Sequence, residues 1–156
     1  MRQLEVPVAT ILPVQHPGVW RSGVDMYIAD AGRGKAWPAV DVIAHPDMPE
    51  HHILLHGHHR GRAAYELGRA TIMANLTETD ADLQSDEWNE LRWFYPGLKT
   101  VQMVLERYRD RWQPQVAARG FSGLHDMPFM SETKQEERKP PPGMSFQEYA
   151  KWERGY

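Results

Sequence analysis

The chain contains no cysteine. That excludes a disulfide scaffold, a thiol nucleophile and any zinc site built on thiolates, and it fits an intracellular address. Neither sign of charge dominates: 18 Lys and Arg stand against 21 Asp and Glu, leaving a formal net charge of −3. Such a balance gives no overall pull toward nucleic acid, so contact with DNA would need a local basic patch. No apolar run approaches membrane-spanning length, and Met1 to Val14 shows no signal-peptide pattern, so a cytoplasmic protein without membrane contact is expected. Internal repeats and low-complexity tracts are absent as well. What is present is 156 residues with 41% apolar content, enough to bury one core.

The most informative stretch runs from Ile53 to Gly68. Ile53 to Leu55 is an apolar run of strand length, and Gly57 permits a sharp turn. Ala63, Ala64 and Leu67 then recur at helical spacing, and Gly68 stands where a left-handed cap would end the helix. A strand, a polar turn and a helix in that order leave main-chain N–H groups at the positive end of a helix dipole. His58, His59, Arg60 and Arg62 sit beside them. This arrangement suits an anion, above all a phosphate.

The turn Gly57-His58-His59-Arg60-Gly61-Arg62-Ala63 resembles the Gly-Glu-Arg-Arg-x-Arg-Ala box of the ParB N-terminal domain. It is also similar to the Gly-His-His-Arg form of ParB-like relatives and to the Gly-Cys-His-Arg turn of sulfiredoxin. Ile11-Leu12-Pro13 resembles the opening strand of that superfamily, Trp37 to Ile43 the strand before the box, and Ala70 to Ala74 the strand after its helix. The resemblance implies an α+β fold over residues 1–85, a small mixed sheet with a helix after the turn. It also implies a bound nucleotide, of the CTP or the ATP/ADP type, with Mg²⁺. Gly57, His58, His59, Arg60 and Arg62 would hold its phosphates. The segment after Pro13 covers the nucleotide in that superfamily, which makes Gln15, His16 and Arg21 candidates, the alternative being ordinary solvated loop residues. Free-serine kinases of the superfamily carry an acid just before the glycine and another after the first proline. Here those places hold His56 and Val14-Gln15-His16, and the sulfiredoxin cysteine position is His58. Asp41, Asp47 and Glu50 are the nearest acids that could substitute.

Around this unit the remaining chain reads as follows. Leu4 to Ala9 alternates like a half-buried strand, and Pro7 assigns it to an edge or a bulge. Pro13 to Pro38 lacks a steady period and reads mostly as a long loop, with Val24 to Ala29 a short helix or strand. Ala39 to Ala44 and Ile53 to Leu55 read as adjacent strands joined through His45 to Glu50. Ile53 to Leu55, the helix, and Thr71 to Leu76 read as a strand–helix–strand unit with a right-handed crossover between parallel strands. Thr77 to Asp82 is a loop or helix start, and Trp88 to Tyr95 is a short aromatic helix stopped at Pro96-Gly97. Thr100 starts a stronger helix with Val101, Val104, Leu105, Tyr108 and Trp112 on one face, packed on the sheet. Residues 86–130 are thus a helical extension. Residues 131–156 read as a charged, proline-containing linker followed by Phe146 to Trp152, a segment suited to docking or to a protein partner.

Six of the eight histidines, His45, His51, His52, His56, His58 and His59, fall in one neighbourhood. Three chemistries could use them: phosphate binding, metal ligation, or acid–base catalysis by His56, His58 or His59. His56 and His58, two residues apart, would share a side if extended, and a third metal ligand is not identifiable. For His45, His51 and His52 the reading is plain turn and surface residues. The leading functional expectation is a nucleotide- or phosphate-binding domain, with phosphotransfer or nucleotide hydrolysis as its chemistry. The alternatives are a DNA- or partner-binding accessory protein without catalysis, and a metal-dependent nuclease.

Overall fold

In the computed structural model, described here for residues 1–15 and 17–130, two layers cover the faces of one five-stranded mixed sheet. The strands are β1 (Arg2–Pro7), β2 (Ile11–Leu12), β4 (Val40–Ala44), β5 (His52–His56) and β6 (Thr71–Thr77), in the order β1-β6-β4-β5-β2. A separate two-stranded ribbon pairs β3 (Val19–Trp20) with β7 (Phe129–Met130). The helices are α1 (Arg21–Gly32), α2 (His58–Glu66), α3 (Asn89–Phe94), α4 (Val101–Arg107) and α5 (Gln113–Ala118). Among the described residues no helix is long and apolar enough to cross a membrane.

Strand β4 sits between β6 and β5, and its side chains from Val40 to Ile43 are all buried. Of its two neighbours, β6 alternates between buried and exposed residues over Thr71–Ala74, whereas Ile53, Leu54 and Leu55 of β5 are all buried. Val6, Val40, Val42, Leu54, Ile72, Ala74 and Leu76 share one core with Val24 of α1, Ala63 and Ala64 of α2, and Phe121, Leu124 and Met127. Ile43, Ile53 and Leu55 form the opposite core with Trp88, Leu91, Tyr95, Val104, Tyr108 and Trp112. The aromatic stripe of the C-terminal helices is therefore packing, as its spacing suggests. Two polar anchors fix that layer: Trp88 Nε1 donates to Thr77 Oγ1 at 2.9 Å, and the Tyr95 hydroxyl donates to the Leu55 carbonyl.

Local sequence explains the boundaries. Strand β1 lies at the sheet edge, where Pro7 costs no ladder bond on its outer side. Thr100 caps α4 by accepting from Met103 N at 3.1 Å. Between α4 and α5, Tyr108–Trp112 is wound as a π-helix, with Gln113 N donating to Tyr108 O. The wider turn directly precedes Pro114, which has no N–H to continue an ordinary ladder. Helix α2 ends in a Schellman motif: Arg69 N donates to Ala64 O, Gly68 N donates to Tyr65 O, and Gly68 has φ 71°.

Two expectations need correction. The segment read as a loop contains the 12-residue helix α1. Val24 is its one buried residue, so the amphipathic signal is faint, and the helix is held by packing on α2 rather than by its own pattern. The second concerns topology. Strand β6 does not lie beside β5; it passes to the far side of β4, pairing parallel with β4, while β5 pairs antiparallel with β4. Strands β5 and β6 therefore run in opposite directions. Strand order depends on which faces close over β4, and this is not encoded in the period of either flanking strand. The tail from residue 131, including Phe146 to Trp152, lies outside the described residues, as does His16.

Candidate functional site

The polar turn is built on Gly57, which caps α2 with φ 107° and ψ 30°. A Cβ here would lie 2.6 Å from Val40 Cγ1, so both the left-handed backbone and the space require glycine. The first intrahelical bond is Gly61 N to Gly57 O at 2.8 Å, and Gly57, having no side chain, supplies no cap bond of its own.

The side chains that follow each reach a different remote segment. His58 is buried, and its Nε2 accepts from Val14 N at 2.9 Å and Gln15 N at 3.1 Å. His59 Nε2 accepts from Trp20 N at 3.0 Å. Gly23 of α1 permits this approach, because a Cβ there would sit 2.5 Å from His59 Cδ2. Arg60 is 5% exposed, and its Nη1 donates to the carbonyls of Pro38 and Ala39 at 2.8 and 2.9 Å. Arg62 Nη1 donates to Leu124 O at 2.8 Å and His125 O at 2.9 Å, and its guanidinium lies 4.7 Å from the Phe129 ring centroid. The turn is thus a hub that fastens Val14, Gln15, Trp20, the segment 38–39 and the segment 124–129 to one helix.

This geometry revises the expected roles. An Nε2 that accepts from main-chain N–H groups carries no proton there, so His58 and His59 do not offer that nitrogen as a donor to a phosphate. Arg60 and Arg62 direct donors at carbonyl oxygens of the protein itself. The Nη1 atoms of both arginines, expected to hold phosphate, are engaged by carbonyls of the chain itself. Their charge still lies at the helix start, but the contacts belong to the framework. His56 and His58 also diverge rather than share a side, because the left-handed Gly57 between them breaks the extended geometry.

Among the other candidates, Gln15 closes its own loop, with Nε2 donating to Gly18 O at 2.7 Å. Arg21 makes a two-pronged ion pair with Glu66 at 2.8 and 2.7 Å and also meets Asp25. Its hydrogen bonds to Glu66 and Asp25 raise the Arg21 pKa further, and the same Arg21 bond lowers that of Glu66. His45 is a turn residue, its Nδ1 accepting from Asp47 N and Met48 N. His51 Nδ1 lies 2.9 Å from Pro49 O. His52 is half-buried, and that burial lowers its pKa. Among the described residues no three His, Asp or Glu side chains converge as a metal cluster.

A second polar group adjoins the turn at the end of β5. His56 Nδ1 lies 3.4 Å from Asp41 Oδ2, and its Nε2 lies 3.7 Å from Glu90 Oε1 of α3. The ring packs against Phe94 with centroids 5.3 Å apart. Asn75 Nδ2 approaches Asp41 Oδ1 at 3.3 Å, and Gln3 Nε2 donates to Asn75 Oδ1 at 2.9 Å. The register explains the row: Gln3 faces Asn75, Asn75 faces Asp41, and Asp41 faces His56 across four strands. An irregularity between Asp41 and Val42 leaves Leu55 without its own partner on β4. A bulge of this kind re-aims the following side chain, here turning His56 toward Asp41 and α3. Sequence reading missed Glu90, Phe94 and Asn75. The available signal was Asp41 itself, an acid inside an otherwise apolar central strand, which demands polar partners.

The order of strands and the glycine turn that opens α2 define an α+β fold of the ParB/sulfiredoxin-like type. Over 97% of its length the chain aligns with protein Atu1540 from Agrobacterium tumefaciens, at 16% identity and a TM-score of 0.52, covering 79% of that chain. A C-terminally truncated chromosome-partitioning protein ParB from Caulobacter crescentus, complexed with CTP-gamma-S, aligns at 18% identity over 75% of this chain and 69% of that one, TM-score 0.42. A conserved hypothetical protein from Pyrococcus furiosus aligns at 15% identity over 50% of this chain, TM-score 0.45. The match spans only 33% of that protein's length. No family model matches the chain, and no curated protein matches it.

Proposed function

We propose that this protein binds the phosphate of a nucleotide at the start of α2 and presents His56 beside it. The observation that carries the reading is the start of α2 at the left-handed Gly57, next to the Asp41–His56–Glu90 group. A helix start carries a positive partial charge that suits an anion. The resemblance of the turn to the ParB box gives the ligand class, a nucleotide. Binding in this form differs from the clamp inferred from sequence. Main-chain N–H groups make the contacts, and the Arg60 and Arg62 charges act from behind through the medium. His58 and His59 serve by holding Val14, Gln15 and Trp20 to the helix start. Phosphotransfer or hydrolysis would then use His56 as the acid–base group, since its ring is fixed by neighbours on both nitrogens. Mg²⁺ held mainly by phosphate oxygens requires one or two protein carboxylates; the carboxylates at His56 are Asp41 and Glu90, which lie on opposite ring nitrogens.

The test is a thermal-shift panel of nucleoside mono-, di- and triphosphates, each with and without Mg²⁺. A ligand that binds only the folded chain raises its stability, by about 2.7 kcal/mol at a hundredfold excess over Kd. The expected result is a rise with at least one nucleotide and none with the matching nucleoside. A flat response across the panel would overturn the reading.

A further inference from the structure

The aromatic run around α3 is explained by packing at every position but one. Trp88 and Tyr95 lie in the core with Ile53 and Leu55, and Phe94 packs on the His56 ring. Trp93 instead stands 41% exposed, the most open of the described tryptophans, against 0% for Trp88 and 2% for Trp112. Its helix is firmly held. Arg92, the residue before it, donates from Nη1 to Leu83 O at 2.7 Å and to Ser85 O at 3.0 Å, and the Tyr95 hydroxyl donates to the Leu55 carbonyl. The indole is therefore a flat apolar face on a fixed support, left uncovered by the fold itself.

The position of that face decides what covers it. Residues three and four apart on a helix are neighbours, with Cβ atoms about 5–6 Å apart. Trp93 accordingly adjoins Glu90 and Asn89, both exposed and polar. Glu90 is the residue whose Oε1 lies 3.7 Å from His56 Nε2, and His56 directly precedes Gly57 at the start of α2. In spatial order the surface thus presents a helix start suited to phosphate, the polar pair His56 and Glu90, and then a flat ring. A nucleotide presents the matching order of phosphate, sugar hydroxyls and flat base. A protein partner fits this face less well, because a single ring beside polar neighbours is no contiguous apolar patch. We propose that Trp93 is the stacking platform for the base of the bound nucleotide. The inference rests on the phosphate reading above and adds to it a base subsite, carried by α3 and lying outside the glycine turn. Stacking uses the π-face that every base has, so the platform takes purines and pyrimidines alike.

The test compares ATP, CTP and inorganic triphosphate, each titrated by calorimetry in the presence of Mg²⁺ into the full chain and into its Trp93→Ala and Trp93→Phe variants. Loss of one base–aromatic stack weakens binding by about tenfold. ATP and CTP should therefore bind the wild type about tenfold more tightly than triphosphate does. Trp93→Ala should bring both nucleotides down to the triphosphate level and leave triphosphate affinity unchanged. Trp93→Phe, which keeps an aromatic face, should retain most of the nucleotide affinity. Nucleotides that bind the wild type no better than triphosphate, or that bind Trp93→Ala as well as the wild type, would overturn the base subsite while the phosphate reading stands. Triphosphate and nucleotides all failing to bind the wild type would instead remove the phosphate reading, and the platform with it.

Discussion

Replacing Arg60 by alanine distinguishes a fastener from a ligand clamp. A clamp that waits for phosphate contributes nothing to the empty protein, or even strains it, so its loss should leave unliganded stability intact. The structure demands the reverse. Arg60 is buried, with one Nη atom donating to both the Pro38 and Ala39 carbonyls, which lead into central strand β4. Hydrogen bonds from a charged donor are worth about 1.5–3 kcal/mol each, and two acceptors sharing one nitrogen will not add fully, so ~3 kcal/mol is expected for the pair. In a chain of this size that corresponds to a fall of roughly 6–12 °C in Tm. The assay is urea unfolding of the ligand-free protein followed by tryptophan fluorescence, reading the midpoint at constant slope. Arg60→Lys keeps the charge but not the planar fork, and it should recover less than half of the loss. If Arg60→Ala unfolds at the wild-type midpoint, the side chain is not a structural staple and the hub description fails.

Further outcomes can be checked with the same assay. Gly57→Ala should cost about 3 kcal/mol, combining left-handed backbone strain with a Cβ 2.6 Å from Val40 Cγ1, whereas Gly68→Ala, with φ 71° and nothing within 4 Å, should cost only about 1 kcal/mol. Equal losses would show that space at Gly57 is irrelevant. Tyr95→Phe removes the donor to the buried Leu55 carbonyl and should cost about 1–2 kcal/mol; a neutral result would mean that water replaces the hydroxyl. Acid should act in two stages. Burial lowers the His52 pKa, so the unfolded chain takes up that proton first and stability falls as pH drops below about 6.5. The Glu78 N–H bond lowers the Asp82 pKa, so that contribution is present above about 4 and is lost as pH falls further. His52→Gln should weaken the first stage and leave the second unchanged.

Local chemistry was readable in advance, and spatial order was not. The glycine turn, the Gly68 cap, the edge role of Pro7 and the Thr100 helix start all follow from backbone preferences within a few residues, and each is realised. Helix α1 escaped because Val24 is its one buried residue and no stripe forms. The placement of β6 beside β4 escaped because alternation reports faces, not neighbours. The turn shows the same divide. Its residues were found by type and spacing, yet whether an arginine points at a ligand or at a carbonyl 20 or 60 residues away depends on tertiary closure.

The fastening performed by His58, His59, Arg60 and Arg62 has a consequence for how such a turn is understood wherever it occurs. Side chains that knit distant loops together would be retained to keep the molecule closed, even in a protein with no reaction left to catalyse. Finding these letters in a new chain therefore speaks for the architecture. Any claim of reactivity has to be sought one residue earlier, at the end of the strand.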